Sequence, residues 1–411
     1  MAARNSFLFA SVCAAGVLLG CTTDDVDAPA EQPVSLRDPA DVPVAGLDAS
    51  ELEDFQEGDA LFGTPLRDAD GLGPVYIRTS CAACHTGGAR GPGFVTKFGA
   101  VDANGEPLAQ SPLLAWGHTE RPFVAGPGKT PLLAPNDTSI RTSLRFGPAV
   151  FGLGYVEAVR DDEILRIESE QAASAGSVKG VANRVSYGSE DNADTRFHAY
   201  KKGDAAIGRF GFKARIATLD DFTADALQGD MGITSPLRPN ELPNPDGLTD
   251  DNKPGVDFSM RSVRLRANYM RMIAIPRRVQ DARGASLFAS TGCAMCHIPT
   301  MGVRSDYPYD SIRAAGAPIY SDLLLHDMGE GLSDHLPQGV DGRATARQWR
   351  TAPLMGLRYN KTYLHDGRAR SVEEAVLAHE STGSQANDAV KKFQSLTSEA
   401  HQTLLHFVEG L

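Results

Sequence analysis

Hydrophobic and polar positions divide the chain into three parts with different patterns. An apolar run from residue 7 to residue 20 follows Arg4 and is too short to cross a bilayer, which is typical of an export signal. Residues 21–45 are rich in Asp, Ala and Pro and lack apolar periodicity, as in a disordered tether. From residue 46 onward, short amphipathic segments alternate with stretches rich in Gly and Pro. The pattern therefore predicts a signal peptide over residues 1–20, a tether over residues 21–45 and folded chain beyond it.

The end of the apolar run has the form of a bacterial lipobox. Leu18 and Leu19 are followed by Gly20 and Cys21, so that a small residue precedes the cysteine whose thiol would receive lipid. The alternative is an ordinary cleaved signal with a chance cysteine. No other stretch of the sequence is long and apolar enough to span a bilayer. We expect a periplasmic protein anchored to the membrane by lipid alone, at the outer membrane rather than the inner one.

Two short segments each carry a pair of cysteines followed by a histidine. They are Cys81-Ala-Ala-Cys84-His85 and Cys293-Ala-Met-Cys296-His297. Such a unit is typical of c-type haem attachment, in which both thiols bond to the porphyrin edge and the histidine becomes the proximal iron ligand. The alternatives are a zinc knuckle and a redox dithiol. A zinc site would need four ligands in one cluster, and the two pairs lie far apart in the chain. The sequence therefore predicts two covalently bound haems c.

The remaining two cysteines do not call for disulfides, although an exported protein with six cysteines would often contain them. Cys13 leaves with the signal peptide, and Cys21 is the lipidation site. The composition adds little beyond this, because 42% hydrophobic residues are usual for a globular protein. The net charge of −12 argues against nucleic acid as a partner and is compatible with a small redox protein as the partner.

A repeated pattern precedes the two motifs. Gly58-Asp-Ala-Leu61-Phe62 comes before the first, and Gly284-Ala-Ser-Leu287-Phe288 comes before the second. In a cytochrome c fold, an amphipathic helix of this pattern packs its Leu-Phe edge on the haem just before the attachment loop. We therefore predict a mainly α protein with two cytochrome c-like domains, long irregular loops and insertions. The predicted boundaries are residues 46–275 for an elaborated first domain and residues 276–411 for the second.

Six further segments resemble, in the same order, those of the di-haem oxidoreductases of the bacterial cytochrome c peroxidase superfamily. The closest resemblance is to the branch named for thiol oxidoreductases and peroxidases. The segments are Asp-Ala-Asp-Gly-Leu-Gly-Pro at 68–74, Gly-Arg-Phe-Gly-Phe-Lys-Ala at 208–214, Gly-Asp-Met-Gly-Ile-Thr at 229–234, His-Asp-Met-Gly at 326–329, Trp-Arg-Thr-Ala-Pro-Leu at 349–354 and Tyr-Leu-His-Asp-Gly-Arg at 363–368.

This resemblance implies that one haem handles electrons while the other offers an open iron to peroxide or a related oxidant. The electrons would come from a small periplasmic donor such as a c-type cytochrome or a cupredoxin. The superfamily would also accommodate a calcium ion between the domains, although no acidic loop of the EF-hand kind is present. The label of thiol oxidoreductase finds no supporting cysteine, because every thiol of the mature chain is already assigned.

One histidine is a candidate for the sixth ligand of the second iron. Ser371 begins a helical segment by a capping pattern, and apolar residues at i, i+3 and i+4 from Val372 put His379 at i+7 on the buried face. A buried histidine satisfied by a backbone carbonyl is the alternative. The resemblance places the sixth ligand of the electron-transfer haem at His379, where the peroxidases have methionine, and implies a lower reduction potential. Met328 and Met355 remain rival ligands.

Three residues are catalytic candidates at the first haem. Thr218 predicts the start of a short helix that ends near Gly229, and Asp230 follows it. The resemblance gives Asp230 the place of a glutamate that stands over the open iron of the peroxidases, where it would move a proton of peroxide. The alternative is that Asp230 caps the following turn. The resemblance also gives Phe212 the place of a tryptophan between the haems, with Arg215 as the arginine of that motif. A core aromatic residue is the alternative for Phe212.

Two functions from different classes follow. The first is a haem-dependent oxidoreductase that is similar to cytochrome c peroxidase, reducing peroxide or a related oxidant at the first haem with electrons relayed through the second. The alternative is a non-catalytic di-haem electron-transfer cytochrome. The long elaboration around the first haem favours the enzyme. An enzyme of this architecture acting on a thiol or a protein side chain also stays open.

Overall fold

The computed structural model describes most of the chain beyond the predicted signal and tether. The described residues are 39–188, 196–198, 200–248, 255–279, 281–340 and 342–411. The signal peptide, Cys21 and most of the tether lie outside them. Residues 39–45, which the prediction assigns to the tether, pack on the folded chain, where the N–H of Val44 donates to the Met272 carbonyl at 2.7 Å. Within the described ranges, every helix is too short or too polar to cross a membrane.

Ten α-helices and eight short strands make up the regular structure of the described ranges. The helices are α1 (Ala49–Gly63), α2 (Leu153–Ala158), α3 (Asp161–Ala173), α4 (Leu219–Met231), α5 (Met260–Met272), α6 (Ala282–Thr291), α7 (Asp310–Ala315), α8 (Val372–Leu377), α9 (Asn387–Gln394) and α10 (Ser398–Glu409). The strands pair as four antiparallel two-stranded sheets, β1 (Val75–Tyr76) with β3 (Phe123–Val124), β2 (Phe94–Ala100) with β4 (Ile140–Phe146), β5 (Arg184–Ser186) with β6 (Ala205–Ile207) and β7 (Leu325–Asp327) with β8 (Gln348–Arg350).

The expectation of a mainly α protein with two cytochrome c-like domains is wrong. Of the described residues, 34% lie in helices, including short 3-10 helices, and 15% lie in strands or isolated bridges, and the arrangement is not clearly one of two cytochrome domains. The prediction extended the two helices before the motifs to the rest of the chain. Besides helices, many backbone groups are satisfied by short strand pairs and turns, as in the seven-residue strands β2 and β4. The boundary near residue 275 stays a prediction.

The helix predicted before each motif is confirmed, and its glycine explains the repeated pattern. Gly58 lies in α1 and Gly284 lies in α6. A Cβ on Gly58 would come within 2.4 Å of the Leu265 carbonyl oxygen on α5, and one on Gly284 within 2.3 Å of the Phe407 Cβ on α10. Each glycine therefore permits a close helix crossing that a larger side chain would block.

A buried ion cluster fixes the position of α4, the helix that carries Asp230. Arg271 on α5 is fully buried and lies 2.7 Å from a Glu157 oxygen and 3.0 Å from an Asp220 oxygen. The other oxygen of Glu157 accepts a 2.8 Å hydrogen bond from the N–H of Leu219, the first residue of α4. Because a buried arginine needs such partners, the cluster ties α2, α4 and α5 together.

Candidate haem-binding site

A cavity of about 1070 Å³ is lined by both Cys-x-x-Cys-His motifs. The four thiols of the motifs are free of disulfides. All the residues that the sequence predicts for the haem and catalytic sites line this cavity, and they come from both halves of the chain. They are Cys81, Cys84, His85, Phe212, Arg215, Asp230, Cys293, Cys296, His297 and His379.

The first motif follows α1 and presents its histidine in one orientation. His85 donates from Nδ1 to the Pro148 carbonyl at 2.6 Å, and the Phe62 ring at the end of α1 lies 6.2 Å from the imidazole ring. Burial lowers the pKa of His85, so that the imidazole is neutral at pH 7. With Nδ1 used, Nε2 is the nitrogen left to bind a metal. A hydrogen bond of this kind is usual for metal-ligating histidines.

The second motif has the same construction. His297 donates from Nδ1 to the Tyr320 carbonyl at 3.0 Å, and the Phe288 ring of α6 lies 6.4 Å from its imidazole ring. Burial, with a smaller contribution from His379, lowers the pKa of His297 to about 4. His379 lines the same cavity as His297.

His379 lies just beyond α8, with its imidazole oriented like the other two. The predicted cap of α8 is confirmed, because Ser371 Oγ accepts a 3.0 Å hydrogen bond from the N–H of Glu374. His379 donates from Nδ1 to the Ala375 carbonyl at 2.6 Å, and burial lowers its pKa. The carbonyl contact foreseen in the alternative interpretation is therefore present, but it occupies only one of the two nitrogens. Met328 and Met355 also line the cavity, so the choice of sixth ligand stays a prediction.

The charge of the lining suits haem, whose propionates are anionic. Ten cationic side chains line the cavity, against three carboxylates. Burial lowers the pKa of Arg90 and of Arg350 to about 10 each, and the buried Nε of Arg90 has no hydrogen-bond partner among the described residues. Arg145, Lys213, Arg209 and Arg215 are already paired with carboxylates. Buried Arg90 and Arg350 are therefore the better candidates to bind an anionic ligand. The paired thiols, the neutral imidazoles and these cations together fit two haems.

Asp230 lies in the last turn of α4 and faces the cavity near the first motif. The Thr218 cap is confirmed, with its Oγ1 accepting from the N–H of Asp221 at 3.3 Å, but the helix runs past Gly229 and ends at Met231. Gly232, with φ of 71°, terminates the helix. The alternative that Asp230 merely caps a following turn therefore loses its basis.

The surroundings of Asp230 favour its protonated form more than water does. Burial, followed by the nearby Asp225 carboxylate, raises the pKa of Asp230 to about 6, although Lys97 and Arg215 oppose the rise. Asp230 in turn contributes, after burial, to raising the pKa of Cys84 to about 12, which indicates that the carboxylate is near the motif. Arg215 itself forms an ion pair with Asp225, at 3.1 Å for one of its two hydrogen bonds. Arg215 thus pairs directly with Asp225 and acts on Asp230 through its charge.

Sequence reasoning missed a tryptophan beside Phe212. Trp349 is 8% exposed, and its ring meets the Phe212 ring edge-on at 6.4 Å. On another side, Trp349 stacks on His365 at 3.8 Å, and the Lys213 ammonium lies 3.4 Å from the centre of the tryptophan ring. Burial and the neighbouring cations, Arg145 first among them, lower the pKa of His365 to about 2. The only signal in the sequence was that Trp349 is one of two tryptophans and belongs to a family segment.

One group of potential metal ligands lies within 4.8 Å of one another in the part of the chain that the structure describes. It consists of Cys296, Asp322 and His326. A sulfur, an imidazole and one carboxylate do not form the oxygen-rich cage that calcium requires. The calcium ion implied by the resemblance therefore stays a prediction.

Comparison with known proteins gives one family match. Residues 132–411, more than half of the chain, match the model of the family described as "Di-haem oxidoreductase, putative peroxidase". Among solved structures, a chain of hydrazine synthase from Kuenenia stuttgartiensis, pressurized with 20 bar xenon, is 14% identical over 98% of this chain and 99% of that chain, with a TM-score of 0.39. The comparison with curated proteins found no match.

Proposed function

The chain belongs to the di-haem oxidoreductase family, and from this premise we propose that it is an exported di-haem c-type peroxidase. It would reduce hydrogen peroxide or a related small oxidant near the first motif, with electrons relayed from the second. The observation that carries the proposal is the cavity lined by both motifs, by His379 and by Asp230. Two attachment sites within one cavity favour electron transfer between them, and a carboxylate at one of them favours proton chemistry there.

The haem-binding residues have separate tasks in this proposal. The thiols of Cys81 and Cys84 would hold one haem and those of Cys293 and Cys296 the other, and haem would supply the redox-active iron. Arg90 and Arg350 would bind the propionates. Each imidazole of the two motifs is held by its own hydrogen bond to a backbone carbonyl, which fixes the direction of its Nε2.

Asp230 moves the proton in the proposed reaction. Hydrogen peroxide takes up two electrons and two protons and leaves as two molecules of water. Asp230 accepts the proton of one peroxide oxygen and returns it to the other oxygen, which departs as water. A pKa of about 6 suits this task, because a carboxylate that titrates near the working pH both accepts and releases a proton readily. Arg215, by holding Asp225, limits the negative charge next to Asp230.

The second haem would be the entry point for electrons. His297 and His379 would give its iron two imidazole ligands and leave no open position for peroxide. Electrons would arrive from a small c-type cytochrome or cupredoxin in the periplasm, and they would pass to the first haem by way of the Phe212 region. Lipid on Cys21 would anchor the protein to the membrane, with the outer membrane favoured.

Electron paramagnetic resonance of the oxidised holo-protein tests this proposal. The protein is produced with the haem-attachment machinery, and two covalent haems per chain are verified first. A high-spin ferric signal from about half of the iron is expected, because one iron is open and the other has two imidazoles. If all iron is low-spin, the spectrum is repeated after addition of one electron. High-spin iron at that stage also supports the peroxidase, whereas iron that is low-spin in both spectra would overturn it in favour of an electron carrier.

A further inference from the structure

A buried histidine next to the second motif takes no part in the function proposed above. His326 is 2% exposed, and its Nδ1 lies 3.8 Å from the Sγ of Cys296. Its Nε2 lies 2.9 Å from an oxygen of the fully buried Asp322, and its Nδ1 lies 2.9 Å from the amide oxygen of Gln385. Both ring nitrogens of His326 therefore face an oxygen.

The orientation of the Gln385 amide is fixed by the backbone of Lys179. The N–H of Lys179 donates to the Gln385 Oε1 at 2.9 Å, and the Gln385 Nε2 donates to the Lys179 carbonyl at 3.3 Å. Because Oε1 is an acceptor only, the Nδ1 of His326 must carry a proton to bond with it. A flipped amide would lose both backbone contacts, so the geometry leaves no second choice for Nδ1.

The other nitrogen of His326 also carries a proton. Asp322 Oδ2 accepts from the Gln171 Nε2 at 2.9 Å, and Oδ1 accepts from the N–H of Leu324 at 3.0 Å, which are the bonds of an ionised carboxylate. An imidazole is a stronger base than a carboxylate, so the proton shared with Asp322 resides on His326. The ring is then protonated at both nitrogens and carries a full positive charge.

We propose that His326 is a permanent imidazolium that raises the reduction potential of the haem held by Cys293 and Cys296. The inference rests on the haem attachment proposed above. Reduction adds an electron to the haem, and a positive charge 3.8 Å from a sulfur bonded to the porphyrin attracts that electron. Asp322 partly cancels the charge, but its oxygens are turned to Gln171 and to the backbone.

Asp322 is the partner that would hold the proton on His326 once haem is attached. Bonding of Cys296 to haem would remove any charge on its sulfur, whereas the 2.9 Å hydrogen bond between His326 Nε2 and the Asp322 carboxylate would remain. Two imidazole ligands lower the potential of a haem relative to a methionine ligand, and His326 would offset part of that effect.

Redox titration of the holo-protein with His326→Gln tests the inference. Glutamine keeps a hydrogen-bonding side chain but cannot be charged. At the wild-type midpoint potential of the low-spin haem, we expect the ratio of oxidised to reduced haem to rise about tenfold in the variant. This corresponds to a fall of about 59 mV in the midpoint potential. His406→Gln, on the exposed side of α10, is the control and should leave the midpoint unchanged. An unchanged midpoint in His326→Gln would overturn the inference.

A double variant keeps the test decisive if the single variant leaves Asp322 buried without a partner and fails to fold. In His326→Gln combined with Asp322→Asn, both charges are removed together. If the wild-type residues form an ion pair, removing both charges should change the ratio of oxidised to reduced haem by no more than about twofold. If the wild-type histidine is neutral, removing the Asp322 charge should shift that ratio about tenfold toward reduced haem. Covalent haem is counted in every variant. Absence of haem in the wild type would refute the proposed attachment, while two haems with the wrong midpoint shift refute only the role of His326.

Discussion

Replacing Asp230 by asparagine should slow peroxide turnover and at the same time stabilise the fold. The folded-state pKa of Asp230 is about 6, whereas the ordinary value is 3.8. The folded protein therefore disfavours the charged carboxylate, by about 3 kcal/mol if the whole shift counts. Because Asp230 is partly exposed at the wall of the cavity, solvent screening reduces this cost, and we expect Asp230→Asn to raise the free energy of unfolding at pH 7 by about 1 kcal/mol.

The pH dependence of this effect has a definite sign. In the folded state Asp230 holds its proton up to a higher pH than in the unfolded state, so wild-type stability falls as pH rises from about 4 through about 6. The variant has no such group. Its stability advantage should therefore be present above pH 6 and disappear near pH 4. Thermal unfolding of both proteins at several pH values measures the difference, with Asp204→Asn in an exposed turn as the control.

Turnover gives the second readout for the same variant. Without a carboxylate to carry the peroxide proton, the rate should fall at least about tenfold. The wild-type rate should also decline below about pH 6, where Asp230 is protonated, and the variant should lack that decline. Unchanged turnover would remove Asp230 from the mechanism. A loss of stability in the variant would contradict the electrostatic argument, because it would mean that the carboxylate stabilises the helix end.

Three further variants test other parts of the structure. His379→Ala should convert the low-spin signal of the second iron to a high-spin signal in electron paramagnetic resonance, and an unchanged spectrum would transfer the ligand role to a methionine. Joint replacement of Cys81 and Cys84 by serine should reduce covalent haem from two per chain to one in a haemochrome assay, and two haems would contradict the attachment. Arg271→Met should lower the free energy of unfolding by about 3 to 5 kcal/mol because it leaves buried carboxylates without a partner, whereas the exposed Arg261→Met should change it far less.

The features of the fold that could be predicted from the sequence were the local ones, namely helix caps and the helices before the two motifs. The caps at Thr218 and Ser371 form between residues three apart in the chain, so the sequence alone contains both partners. The helices before the two motifs were predicted from their repeated pattern, and the structure shows that Gly58 and Gly284 lie where each helix crosses another closely. The length of α4 was predicted less well, because it continues through Gly229 to a glycine at the end.

Contacts between distant segments were the part that could not be predicted. The strand pairs that contradict the mainly α expectation join segments that are far apart in the chain, so no short sequence pattern predicts them. Trp349 reaches Phe212 because β8 pairs with β7 and because the backbone N–H of Arg350 donates to the Phe212 carbonyl at 2.9 Å. The site around the two rings is thus a product of tertiary pairing, and the family spacing pointed to only one of its members.

Hydrogen-bond orientation separates the histidines of the cavity into two kinds. His85, His297 and His379 each donate from Nδ1 to a backbone carbonyl, so that Nε2 of each is left for a metal. His326 uses both ring nitrogens in hydrogen bonds to oxygen acceptors. His365 stacks on Trp349, and burial together with nearby cations lowers its pKa. Under the proposed function, His379 would complete the second iron and leave a position on the first iron for peroxide, with Met328 and Met355 as the rival ligands that also line the cavity.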